Sequence, residues 1–178
     1  MGSKFEELSK LGAGEFEHLN GSLIEHLNST YQLLIKWGAS PELCDSGLYH
    51  AAYGTAGFES QVVSLSQRRD IAKIIGQPAE EIVYLYCSCD RSFVFKGFDG
   101  NNPINFRDRF TEKEFKLTHE QAQQFCELTV ANELELAIDS SEFLKEHGQG
   151  LFDLFIKMEP LLSQSANESI NSVLSSVA

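Results

Sequence analysis

Two helix punctuation marks set close together constrain this chain most. Ser22-Leu23-Ile24-Glu25 has the form of a capping box, with a hydroxyl at the N-cap and a carboxylate three residues on. Leu23, Leu27, Tyr31, Leu34 and Ile35 then recur at helical spacing, and Trp37-Gly38 supplies a glycine stop. Ser40 and Pro41 start a new helix at once, with Glu42 adding favourable charge to its first turn. Two short helices joined by so tight a turn pack antiparallel. Leu43, Gly47, Leu48 and Ala51 form the buried stripe of the second, which runs to about Tyr53-Gly54-Thr55.

The same logic extends along the chain. Phe5, Leu8 and Leu11 suit a short amphipathic turn, and Gly12 and Gly14 break any longer helix. A Gly- and Ser-rich loop over 56–66 precedes a third helix from Gln67 to Ile75, stopped by Gly76. Pro78 opens a fourth, through Ile82, Val83, Leu85 and Tyr86 towards Asp90. The period then shortens. Phe93-Val94-Phe95 and Ile104-Asn105-Phe106 flank Asp99-Gly100-Asn101-Asn102-Pro103, which predicts a β-hairpin between about residues 92 and 110. Thr118-His119-Glu120-Gln121 is a second capping box, and its helix carries Ala122, Phe125, Cys126, Thr129 and Leu136. Helical pattern returns around Phe143 and Leu144, over Leu151–Met158, and over Leu161–Val177 after Pro160. No internal repeat is present. The expectation is a single all-α domain over 1–178 with one β-hairpin insertion, a core over about 15–140 and C-terminal helices over 141–178.

Composition narrows the function. Lys+Arg is 14 against Asp+Glu 26, a net charge of −12. That balance argues against a nucleic-acid backbone binder, which needs a basic surface, but leaves room for a small anionic ligand in a local basic pocket. No apolar run approaches a membrane span. No apolar segment follows the N-terminal Met1-Gly2-Ser3, and Glu6 breaks a myristoylation pattern, so a cytoplasmic protein is expected. The sequons at Asn20, Asn28 and Asn167 are then chance matches. Cys44, Cys87, Cys89 and Cys126 form no Cys-x-x-Cys pair and are expected as reduced thiols. No phosphate-loop, serine-hydrolase elbow or zinc-protease pattern occurs.

The polar residues offer one constellation. His26 lies in the middle of the first capped helix and His50 near the end of the next, so an antiparallel pair would set them face to face. Asp90, ending the fourth helix, would complete two imidazoles and a carboxylate, a set suited to a divalent cation. Separately hydrogen-bonded polar groups lining a pocket fit the same spacing. Arg69 begins a helix after a flexible loop, and Arg91 stands beside the expected hairpin; both suit an anionic ligand. Tyr53 and Thr55 are candidate pocket walls, and Asn132, among Val130, Ala131 and Leu134, a candidate ligand-orienting group. His18 is expected ahead of the first firm helix and outside any ligand set.

These residues carry a family resemblance. His26-Leu27-Asn28-Ser29-Thr30 through Trp37-Gly38, and Gly47-Leu48-Tyr49-His50-Ala51-Ala52-Tyr53-Gly54-Thr55, resemble the HD-domain superfamily of helical metal-dependent phosphohydrolases. They are most similar to a group of small, poorly characterised HD-like proteins. Arg69-Asp70-Ile71, Ile75-Gly76, Cys89-Asp90-Arg91 and Ala131-Asn132-Glu133 fit as well. The resemblance spans roughly 15–140 and implies a metal held by His26, His50 and Asp90, with manganese, zinc or iron as the cofactor. It implies hydrolysis of a phosphate ester or nucleotide, with Arg69, Arg91, Tyr53, Thr55 and Asn132 around the substrate. It names no catalytic residue, and leaves a homodimer open. One departure counts against the activity: Ala51 stands where the family's His-Asp doublet has its aspartate, a metal ligand. The acidic pair of related pyrophosphohydrolases is missing too, with Tyr53, Gly54 and Thr55 in its place. A non-catalytic ligand- or protein-binding module is the alternative, and a non-haem iron oxygenase at the same residues a lower one.

Overall fold

A computed structural model describes residues 2–12, 17–18, 21–57, 60–98 and 103–175. The chain is mostly helical and divides into two compact units, Met1–Ser88 and Cys89–Ala178.

The first unit holds α1 (Gly2–Lys10), β1 (Glu17–His18), β2 (Gly21–Ser22), α2 (Leu23–Trp37), α3 (Pro41–Tyr49), α4 (Arg68–Ile75) and α5 (Gln77–Cys87). The capping chemistry read from the sequence is in place. Glu25 N–H donates to the Ser22 hydroxyl, the Ser22 N–H donates to the Glu25 carboxylate, and Gly38 closes α2 in the left-handed region at φ 77°. Ser40 caps α3, with Pro41 at its first position. A Cβ on Gly47 would lie 2.5 Å from Leu34 Cδ1 and 3.7 Å from Thr30 Cγ2, so any larger residue would have to push the buried Leu34 side chain aside where α3 meets α2. Gly47 meets Thr30 and Leu34, while His50 meets His26, one turn earlier on α2. The two helices therefore run antiparallel. Leu23, Leu27, Leu34, Leu48, Tyr49, Tyr53 and Val83 are almost fully buried, whereas Ile35, expected on the buried stripe, is 45% exposed. A 3₁₀ turn over Leu65–Gln67 leads into α4.

The second unit holds α6 (Arg91–Val94), β3 (Asn105–Arg107), β4 (Glu114–Lys116), α7 (His119–Asp139), α8 (Ser141–Met158) and α9 (Gln164–Leu174). Thirteen residues of α7 are buried, nearly all round the helix, which makes it the central element against which α8 and α9 pack. Phe106 and Phe125 meet edge to face at 5.8 Å in the core of this unit.

Three expectations change. Phe93-Val94-Phe95 is no strand: Asp90 accepts from the Phe93 N–H and caps the short α6 instead. The hairpin pairs Phe106 with Phe115, so its second strand lies downstream of the expected segment; residues 99–102 lie outside the described residues. A further short antiparallel pair, β1 with β2, sets Glu17 opposite Ser22 and His18 opposite Gly21. Towards the C-terminus, α8 runs unbroken through Gly148 and Gly150, a second 3₁₀ turn covers Glu159–Leu161, and α9 begins only at Gln164.

Candidate functional site

In the first unit, His26 on α2 and His50 just past α3 form a buried pair. Their ring centroids are 5.1 Å apart at an interplanar angle of 82°, and their exposures are 6% and 2%. The Tyr86 ring, from α5, meets His50 edge to face at 5.5 Å. His50 Nδ1 lies 2.7 Å from the Gly47 carbonyl oxygen, which can only accept. Nδ1 therefore carries a proton and donates it to this carbonyl. The Cys87 thiol donates to the His50 carbonyl at 3.0 Å and ties this turn to α5.

The buried carboxylates of this unit are engaged elsewhere. Glu80, on α5 and 1% exposed, accepts from the Tyr53 hydroxyl at 2.8 Å, from Arg68 Nε at 2.6 Å and from Arg68 Nη2 at 2.8 Å. The Arg68 guanidinium also lies over the Tyr84 ring, 3.7 Å from its centroid. The hydrogen bond it donates to Glu80 is the main cause holding the Arg68 guanidinium above its usual range. Burial, reinforced by the Glu80 carboxylate, holds the Tyr53 phenol well above its own. Asp45, also buried, pairs with Lys4 at 2.5 Å, and the Tyr49 hydroxyl donates to the Lys4 carbonyl, which ties α1 to α3. Ala51, the residue after His50, is 3% exposed.

The expected substrate residues of this unit are scattered in role. Tyr53 spends its hydroxyl on Glu80, Thr55 is buried, and Arg69 is exposed in the first turn of α4. His18 lies on β1.

The second unit carries the remaining three. Asp90 accepts from the Ser92 hydroxyl at 2.8 Å and the Phe93 N–H at 3.1 Å, and Arg107 stands 3.6 Å away. The Ser92 bond leads the causes that hold the Asp90 carboxyl below its usual range. Arg91 Nη1 and Asn132 Nδ2 both donate to Glu133 Oε1, each at 3.0 Å. The structure thus brings Arg91 and Asn132 together on the Glu133 carboxylate, a partner that the sequence pattern does not mark. The Arg68–Glu80–Tyr53 cluster was missed as well, because its members stand far apart in sequence and only the packing of α4 on α5 joins them.

A divalent cation asks for three or more converging donors, with anionic ligands to neutralise it. Among the described residues, no group of three or more His, Cys, Asp or Glu side chains is arranged to hold a metal ion. His26 and His50 are a pair, Ala51 offers no donor, and the two buried acids of the unit face Lys4 and Arg68. Among the described residues of the first unit, no third donor joins His26 and His50 in such a group. Cys44, Cys87, Cys89 and Cys126 are buried free thiols, and burial pushes Cys44 up to about 11 and Cys89 up to about 12. Among the described residues, no helix is long and apolar enough to cross a membrane.

Residues 7–91 match the profile of a family described as a domain of unknown function, DUF6817. The match covers just under half of the chain and ends within a few residues of the limit of the first unit. No curated protein and no solved structure matches the chain.

Proposed function

We propose that the first unit is an HD-like helical module that binds a small anionic molecule or a protein segment and does not hydrolyse it. The observation that carries this reading is the engagement of its buried carboxylates: Glu80 is held by Arg68 and Tyr53, and Asp45 by Lys4. An HD-type centre needs acids beside its imidazoles, and here the buried acids among the described residues, Glu80 and Asp45, serve the packing of α4 on α5 and of α1 on α3. The apolar, buried Ala51 beside His50 is consistent with a site that has lost its metal-binding charge.

A second reading keeps a metal-dependent hydrolase of phosphate esters or nucleotides. One observation favours it: a ligating histidine commonly donates its other ring N–H to a backbone carbonyl, as His50 Nδ1 does to Gly47. Calorimetric titration with manganese, zinc and ferrous iron, paired with turnover of p-nitrophenyl phosphate and of nucleotides, separates the two. The binding-module reading expects no tight stoichiometric uptake and no turnover, with uptake appearing only in Ala51→Asp. Tight uptake by the unmodified protein, abolished by His50→Ala and accompanied by turnover, establishes the hydrolase instead.

A further inference from the structure

An open hollow in the second unit is lined only by residues of that unit. It is a wide-mouthed groove of about 450 Å³, open to solvent, between α6 with the residues just after it and the C-terminal half of α8. That volume is within the range of small-molecule sites. The wall from the α6 side carries Arg91, Phe95 and Lys96; the α8 side carries Gly150, Leu154 and Lys157.

Two features of this lining are unexpected for the chain. The first is charge. Only 14 of 178 residues are Lys or Arg, so eight lining residues taken at the chain's average would include fewer than one. The cavity has three, against a single acid, Asp153, whose carboxylate accepts from Gln149 at 3.0 Å. Arg91 is fixed in place by Glu133, so its side chain is ordered before any ligand arrives.

The second is Gly150. Glycine inside a helix is unfavourable relative to alanine, and α8 runs straight through this position. No neighbour demands the glycine: a Cβ built on it meets nothing within 4 Å, and its backbone is not in the left-handed region. What its missing side chain leaves is open space along the cavity wall. Gly47 is the contrast within the same chain, since a Cβ there runs into Leu34.

We propose that this cavity binds a small amphiphilic anion, its phosphate or carboxylate head set among Arg91, Lys96 and Lys157 and its aromatic or aliphatic body against Phe95, Leu154 and the bare face of Gly150. The cations attract and orient the head, and a guanidinium held by Glu133 suits the fork-like recognition of an oxyanion. The half-buried Phe95 and Leu154 supply apolar surface that a bound body removes from water. The one acid of the lining, Asp153, opposes an anion, but its carboxylate already accepts from Gln149 and three cations stand against it. The proposal does not depend on the His26–His50 reading, because every lining residue belongs to the second unit.

The full chain, labelled with ¹⁵N, is titrated with 1-naphthyl phosphate, 1-naphthoate and neutral 1-naphthol while amide shifts are followed. The expected result is saturable shifts confined to residues 91–97 and 149–158, with one of the two anions bound about tenfold more tightly than the alcohol. Whether phosphate or carboxylate leads identifies the head group. Lys96→Gln and Lys157→Gln should each weaken anion binding by about two- to fivefold. Gly150→Leu should weaken it by about tenfold or more while its melting temperature stays at or above that of the unmodified protein, since the side chain enters open space on a helix. Shifts that centre elsewhere, equal binding of the alcohol, no binding of either anion, or unchanged affinity in a folded Gly150→Leu protein would each overturn the proposal.

Discussion

Glu80→Gln tests the electrostatic core of the first unit. Glu80 Oε1 accepts from both the Tyr53 hydroxyl and Arg68 Nε, and Oε2 accepts from Arg68 Nη2. An amide in the same place has only one acceptor oxygen. Whichever way it is turned, its NH₂ group faces a donor from Arg68, alone or together with the Tyr53 hydroxyl. Breaking a fully buried pair costs about 3–5 kcal/mol. The Arg68 side chain is 34% exposed and keeps its contact with the Tyr84 ring, so it recovers some hydration, and the expected loss for Glu80→Gln is about 2–3 kcal/mol. Arg68→Met should cost more, because the group it strands is Glu80, whose side chain is 2% exposed and has only Tyr53 left among its three donors. Replacing both, Arg68→Met with Glu80→Gln, should cost less than the two single changes together, since no charge is then left buried. Urea unfolding at pH 7 of the four proteins, compared by linear extrapolation, measures all three values. Additive losses in the double variant, or no loss in Glu80→Gln, would refute the reasoning.

Further outcomes follow from the same structure. Gly47→Val should destabilise the protein by about 1–3 kcal/mol through overpacking against Leu34, and should disturb the His26 and His50 ring signals in NMR spectra. Ser22→Ala removes one arm of the capping box of α2 and should cost about 1 kcal/mol in denaturant melts. Glu127→Ala, which removes the acceptor of the Ser163 hydroxyl and N–H at the start of α9, should cost about 2–3 kcal/mol and raise amide exchange in that helix before others. Burial raises Cys44 from 9.0 to about 11 and Cys89 from 9.0 to about 12. The unfolded chain then loses these protons first, so their contribution is intact below pH 9 and declines from pH 9 towards 11–12. Unfolding free energy measured across that window should fall, and less steeply in Cys44→Ala than in the unmodified protein.

The parts of the fold legible in the sequence are those written in local chemistry. Both arms of the Ser22–Glu25 box, the left-handed Gly38 and the Ser40-Pro41 start depend on residues within four positions of each other. They fix α2, α3 and the short link between them, which is why the His26–His50 pair could be anticipated. The hairpin was misplaced because Phe93-Val94-Phe95 has the apolar density of a strand, while Asp90, assigned to a metal, is the N-cap that turns it into a helix. The true loop between β3 and β4 hides its signal. Its left-handed residue is Glu112, at φ 59°, where glycine or asparagine is the usual marker. The Asp108 carboxylate accepts from the Phe110 and Thr111 N–H groups, an Asx-type turn without Gly or Pro. The pattern reads as separate helical pieces around Phe143 and Leu144 and over Leu151–Met158, whereas α8, packed against α7, is continuous through Gly148 and Gly150. The partners of Glu80, Glu127 and Glu133 were illegible for a different reason: a buried carboxylate reads as a surface one until the packing that encloses it is known.

The binding-module reading depends most on the state of two rings. A long-range ¹H–¹⁵N correlation spectrum of the imidazoles, recorded at pH 7.5 before and after one equivalent of zinc, examines them directly. The expected spectrum shows His50 as the Nδ1-protonated tautomer imposed by the Gly47 carbonyl, and it is unchanged by zinc. Nε2 signals of His26 and His50 that move together and saturate at one equivalent would make the pair a working metal centre and contradict that reading.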